Sequence, residues 1–79
     1  MWWRIVEVLM AEYITNKVYE LRMHKELTQE ELAQKVDVSR QTIIAIEKGN
    51  YTPSVLLALK IAAVFKMSVH DIFRISYEK

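Results

Sequence analysis

Residues 28–49, TQEELAQKVDVSRQTIIAIEKG, leave the chain few ways to fold. Two short helical patterns lie there, separated by a break at Val36, Asp37, Val38 and Ser39. Thr28 can cap the first helix, and Glu31 three residues later completes a capping box. Leu32, Ala33 and Val36 then fall on one face, at the spacing of an amphipathic helix. Ser39 can accept from the free N–H groups of the second helix, whose buried face carries Ile43 and Ile46. Gly49 stands where that helix must stop, because glycine enters the left-handed region without steric cost. Helices joined by so short a break cross at a steep angle rather than lie side by side.

Such a pair is a helix-turn-helix, and the remaining residues must supply the core behind it. Seventy-nine residues make one small domain with little core to spare. The absence of cysteine excludes disulfides and thiolate–zinc sites. His24 and His70 lie far apart with no ligand-spaced partner, so no metal or cofactor is expected. One Gly, one Pro and 52% apolar residues indicate a helical domain rather than a disordered one. No Ser–His–Asp, Cys–His, paired-carboxylate or glycine-rich phosphate-binding arrangement is present, and an enzyme is not expected. The net charge is only +1. Arg4 against Glu7 and Glu12 gives the first fourteen residues −1, leaving +2 for the rest. Any affinity for nucleic acid therefore rests on where charges are placed, or on dimerisation, rather than on bulk charge.

Residues 1–14, MWWRIVEVLMAEYI, form an arm, and residues 15–79 the domain proper. The arm's apolar run is short and carries Arg4 and Glu7, so it is neither a membrane span nor a signal peptide, and a cytoplasmic protein is expected. Trp2, Trp3, Ile5, Val6 and Val8 favour a strand, and residues 9–12 a helix. Two adjacent tryptophans would make a costly apolar patch in water, so the arm either covers core at the domain edge or mediates dimerisation. A further reading begins the natural product at Met10. Downstream, a helix is expected over residues 16–25, capped by Asn16 or Thr15, with Val18, Leu21 and Tyr19 inward. Ser54 caps a helix reaching Phe65 that is apolar nearly all round, with Val55, Ala58, Leu59, Ala62 and Phe65 on its buried side. Ser68 caps a last short helix, and residues 73–77 alternate like a strand.

Five helices in about sixty residues, the second and third forming the motif, resemble the Cro and lambda-repressor family of Xre-like DNA-binding regulators. The resemblance is densest in LTQEELAQKVDVSRQTIIAIEKGNYTPS and ALKIAAVFKMSVHDIF. It implies an all-α, five-helix lambda-repressor-like domain, with short terminal strands allowed, that regulates transcription. By the same resemblance, Ser39, Arg40, Gln41 and Thr42 match DNA-reading positions, and Gln29 matches a phosphate contact. Lys48, Asn50 and Tyr51 match a loop that touches the DNA backbone. Arg22 and Glu47 match an ion pair between the first and third helices. Glu26, Asp37 and Lys66 stand where the family usually has glycine. If they keep a positive φ, Asp37 tolerates it best, while Glu26 and Lys66 each cost about 1 kcal/mol.

The chemistry of these residues supports that reading. An α-helix fits the major groove, where each base pair displays a distinct set of donors and acceptors. Once Ile43 and Ile46 are buried, the second helix of the motif presents Arg40, Gln41, Ile44 and Lys48. Arg pairs bidentately with guanine and Gln with adenine, and Ile44 can meet a thymine methyl. The expected partners are double-stranded DNA and a second copy of the chain, whose interface would draw on Trp2, Trp3, Ile5, Phe73, Ile75 and Tyr77, with strands pairing across the two-fold axis. A competing reading is an antitoxin or anti-repressor whose main ligand is another protein.

Overall fold

The two ends of the described chain, residues 11–78 of the computed structural model, meet in an antiparallel pair of strands. In chain order the elements are β1 (Ala11–Asn16), α1 (Val18–His24), α2 (Gln29–Val36), α3 (Arg40–Glu47), α4 (Val55–Phe65), α5 (Val69–Ile72) and β2 (Phe73–Glu78). Asn16 pairs with Phe73 next to the helices, and Ala11 with Glu78 at the outer end. The five helices stand as expected, and the sheet is made of the short terminal strands that the expectation allowed, so all-α alone is too narrow a description. β1 also runs across the expected boundary between residues 14 and 15, and it takes Ala11 and Glu12 into a strand where a helix was favoured. Pairing with residues sixty positions away decided this, which local propensity does not contain. The tail strand was legible from its alternation, but its partner is β1 of the same chain. Trp2, Trp3 and Ile5 lie outside the described residues.

One core holds the helices together. Val18, Leu32, Val36, Ile43, Ile46, Ile61 and Ile72 are its most deeply buried large side chains. α2 and α3 contribute the inward faces read from their spacing, and Phe73, 9% exposed, closes the core from β2. That burial corrects its assignment to a dimer interface, since its ring is spent on its own core. α1 starts at Val18 rather than at Asn16, and Tyr19 is half exposed, not inward. α4 buries Leu57, Ala58, Ile61, Ala62 and Phe65. Val55 and Leu59, expected inside, are 77% and 55% exposed. A helix apolar on every side offers no contrast from which to read its phase.

The four longer helices end alike. Leu27 N–H reaches Arg22 O, Val38 reaches Ala33, Asn50 reaches Ala45 and Met67 reaches Ala62, at 2.9–3.1 Å. These are the long bonds of Schellman endings, and each requires a left-handed residue just after the helix. Those residues are Glu26, Asp37, Gly49 and Lys66, at φ values of 57°, 64°, 78° and 55°. The three non-glycine residues thus keep the glycine-like geometry. No helix among the described residues is long and apolar enough to cross a membrane.

Candidate nucleic-acid interface

The start of α3 is the exposed end of the motif. Ser39 Oγ accepts from Thr42 N–H at 3.3 Å and lies 3.1 Å from Thr42 Oγ1, which fixes the first turn. Arg40 and Gln41 project from this turn and are exposed, while Thr42 and Ile44 are half-buried beside them. Among the described residues neither the Arg40 nor the Gln41 side chain is tied to another by a hydrogen bond, so their donors and acceptors face solvent. Lys48, Asn50 and Tyr51 are exposed at the far end of the helix, where the chain turns at Gly49.

Behind this face α3 is anchored by a buried charge cluster. Arg22 Nε donates to Glu47 Oε2 at 2.6 Å and Arg22 Nη2 to Glu47 Oε1 at 3.1 Å, a bidentate pair joining α1 to α3. The two side chains are only 8% and 5% exposed. Arg22 Nη1 also donates to the carbonyl of Leu27 at 2.8 Å, and the Arg22 guanidinium lies 5.4 Å from the Tyr19 ring centroid. The hydrogen bond that Arg22 donates to Glu47 raises the Arg22 pKa above its ordinary value, against the opposing effect of burial. Among the described residues no buried side-chain nitrogen or oxygen lacks a hydrogen-bond partner, and a buried pair needs that to offset its desolvation.

Gln29 is placed differently from its sequence reading. Its Nε2 donates to Glu47 Oε1 at 3.1 Å, so the side chain completes the anchor of α3 as a third arm. Thr28, Gln29, Glu30 and Arg40 nevertheless line one open cleft with Tyr19, Arg22 and Met23, which brings the start of α2 beside the start of α3. The start of α2 is fixed by the expected box: Glu31 N–H donates to Thr28 Oγ1 at 3.0 Å and Thr28 N–H to Glu31 Oε1 at 2.8 Å. The backbone bond from Thr28 holds the Glu31 carboxyl below its usual range.

Asn16 was read only as a cap. Its Oδ1 does accept from Val18 N–H at 3.0 Å, but its Nδ2 also donates to Ile46 O at 2.9 Å. It thereby ties β1 to the last turn of α3. Nothing local in the sequence signals this second bond, which spans thirty residues.

The comparisons agree with this geometry. The helix-turn-helix family profile matches residues 18–72. An uncharacterised HTH-type transcriptional regulator of Bacillus subtilis, YgzD, is 52% identical over 63 residues, covering 80% of this chain and 96% of its own. A second such regulator, from Methanocaldococcus jannaschii, is 59% identical over 58 residues, 73% of this chain and 88% of its own. Among solved structures, the restriction-modification controller protein C.AhdI from Aeromonas hydrophila superposes with a TM-score of 0.64 at 30% identity, over 68% of this chain and 82% of its own. The chain belongs to the Xre-like helix-turn-helix family of DNA-binding transcriptional regulators.

Proposed function

We propose that the protein is a sequence-specific regulator that binds an inverted-repeat operator as a homodimer. One observation carries the proposal: the exposed start of α3 presents Arg40 and Gln41 without side-chain hydrogen bonds among the described residues, on a helix anchored from behind by Arg22, Glu47 and Gln29. A side chain held ready on a rigid helix loses little freedom when it meets a base. Arg40 and Gln41 supply the bidentate contacts to base edges, each contributing about 1–3 kcal/mol of discrimination. Ile44 meets a thymine methyl, and the Ser39 and Thr42 hydroxyls contact the groove wall. Lys48, Asn50 and Tyr51 meet the phosphates after α3. With the Gln29 amide nitrogen engaged by Glu47, phosphate contact at the start of α2 falls to backbone N–H groups and Arg40. One motif reads only a few base pairs, so two half-sites about 34–36 Å apart are the expected target.

Selection of binding sequences from a random DNA pool, followed by gel shift, tests this. An enriched inverted repeat whose binding weakens in Gln41→Ala supports it. No enrichment of any inverted repeat at low salt rejects it.

A further inference from the structure

Among the described residues, the side-chain hydrogen bonds that reach α3 from other elements all land on its last turn. Glu47 takes the Arg22 guanidinium and the Gln29 amide, and the Ile46 carbonyl takes the Asn16 amide. Ile43 and Ile46 hold the helix against the core, but apolar burial has no direction of its own. Direction therefore comes from the last turn, while Arg40 and Gln41 stand at the other end. Arg40 lies six residues before Ile46, about 9 Å along the axis. A tilt of about 10° at the last turn carries the Arg40 backbone about 1.6 Å, whereas a productive contact tolerates about 0.5 Å.

The bonds at that turn are not equivalent. Arg22 and Gln29 hold the end of the Glu47 side chain, which is joined to the helix through rotatable bonds. Asn16 holds the helix backbone itself, at 2.9 Å. Its mount is fixed in turn: the Asn16 backbone pairs with Phe73 at the root of the sheet, and the next residue, Lys17, donates its N–H to Ile72 O at 3.0 Å. The Asn16 Oδ1 accepts from Val18 N–H at 3.0 Å, so both ends of the amide are engaged and its donor is aimed. β1, β2, α1 and α3 thus meet at one side chain.

We infer that Asn16 is a positioning residue for DNA reading, whose amide sets the tilt of α3 through the Ile46 carbonyl. The inference rests on the operator reading above and adds to it a residue from outside the motif. The same carbonyl also accepts from Gly49 N–H at 3.0 Å, within the turn that leads to Asn50 and Tyr51. A carbonyl oxygen has room for two donors, so removing the Asn16 amide leaves Ile46 O bonded rather than orphaned. What is lost is a tether with a direction, and reading should suffer more than folding.

Asn16→Ser and Asn16→Asp test this, since each keeps an oxygen for Val18 N–H and neither carries the amide; Asp also keeps the side chain's shape. Gel shifts with the selected operator and with a scrambled sequence give the ratio of the two affinities, at a temperature where circular dichroism finds each variant folded. A smaller folded fraction lowers both affinities by one factor and leaves the ratio alone. The ratio is expected to fall about two- to thirtyfold in both variants, with base preference relaxed in each half-site. Ser68→Ala removes the cap of α5, a bond of the same kind remote from α3, and should keep the wild-type ratio. Either Asn16 variant decides the matter if the other fails to fold, and a folded one that keeps the ratio overturns the inference. A wild type that does not discriminate rejects the operator reading and the role of Asn16 together. A discriminating wild type with equally discriminating variants rejects the role of Asn16 alone.

Discussion

Helices α3 and α4 are neighbours in sequence and opposites at the surface. Both bury aliphatic side chains in the same core, Ile43 and Ile46 from one and Leu57 and Ile61 from the other. They differ in the outward half. α3 exposes Arg40 and Gln41; α4 exposes Val55, Leu56, Leu59 and Ala63. A polar outward face is at ease in water and exchanges its water for other donors and acceptors at small net change. An apolar one costs about 25 cal/mol for each Å² left wet, so only a dry partner satisfies it. The contrast leaves α3 suited to polar partners and α4 only to apolar ones.

Among the described residues the anchoring of α3 has no counterpart in α4, and breaking it gives the largest expected effect. Glu47→Gln or Arg22→Met leaves one charge nearly buried without its partner, at a cost of about 3–5 kcal/mol. Urea denaturation followed by circular dichroism measures this. The double variant Arg22→Met with Glu47→Leu should recover much of the loss, because the expense lies in the stranded charge rather than in the missing pair. A double variant as unstable as the sum of the singles would mean that the pair itself holds the fold.

A substitution on the outward side of α3 should leave stability alone. Gln41→Ala is expected to weaken binding to the selected operator by about 1–3 kcal/mol and to relax preference at one position in each half-site. Its melting curve should overlay that of the wild type. An equal loss on every DNA sequence would assign Gln41 to the backbone instead of to a base.

How well each helix could be read from sequence follows the same contrast. The α2–α3 unit was legible because polar and apolar residues alternate at helical period and Thr28, Glu31 and Ser39 mark where the helices begin. α4 was legible in its extent, from Ser54 and Phe65, but not in its orientation, since its apolar residues leave no polar stripe to mark the outside. Strand β1 was hidden because residues 11–16 pair with residues 73–78, far beyond any local window. The same distance concealed the bond from Gln29 to Glu47 and that from Asn16 to Ile46.

The two units also differ at their starts. α2 begins with a full capping box, whereas Ser54 of α4 accepts only from Leu57 N–H, with an apolar residue where a carboxylate would reply. Thr28→Ala and Ser54→Ala should each cost about 1 kcal/mol. Of these two caps, that of α2 responds to acid. The Glu31 pKa is lowered in the folded state, so the unfolded chain binds more protons through the carboxylate range, and stability rises with pH there. This contribution is present above the ordinary glutamate pKa and is lost as pH falls through the lowered one. Glu31→Gln should remove that step from the acid melting profile, leaving the parallel contribution of Asp71, which the Ser68 hydroxyl holds low in the same direction. An unchanged acid profile would show that the box does not persist in solution.

The smallest expected effects lie at the helix ends, where α3 and α4 are alike in geometry and unlike in residue. α3 ends on Gly49 at φ 78° and α4 on Lys66 at φ 55°, each followed by the same long backbone bond. A side chain in this region costs about 1–2 kcal/mol, while glycine gives back about 0.4–1 kcal/mol through the freer unfolded chain. Lys66→Gly should therefore stabilise by about 0.5–1 kcal/mol. Gly49→Ala should destabilise by a similar amount, and through the backbone alone, because a Cβ added at Gly49 meets nothing within 4 Å. Asp37→Gly should change little, since aspartate tolerates the left-handed region better than lysine does. Thermal melts of the three variants sort the causes. If Gly49→Ala is neutral, backbone strain is not what places glycine there, and the close approach of another molecule to that turn becomes the reason for it.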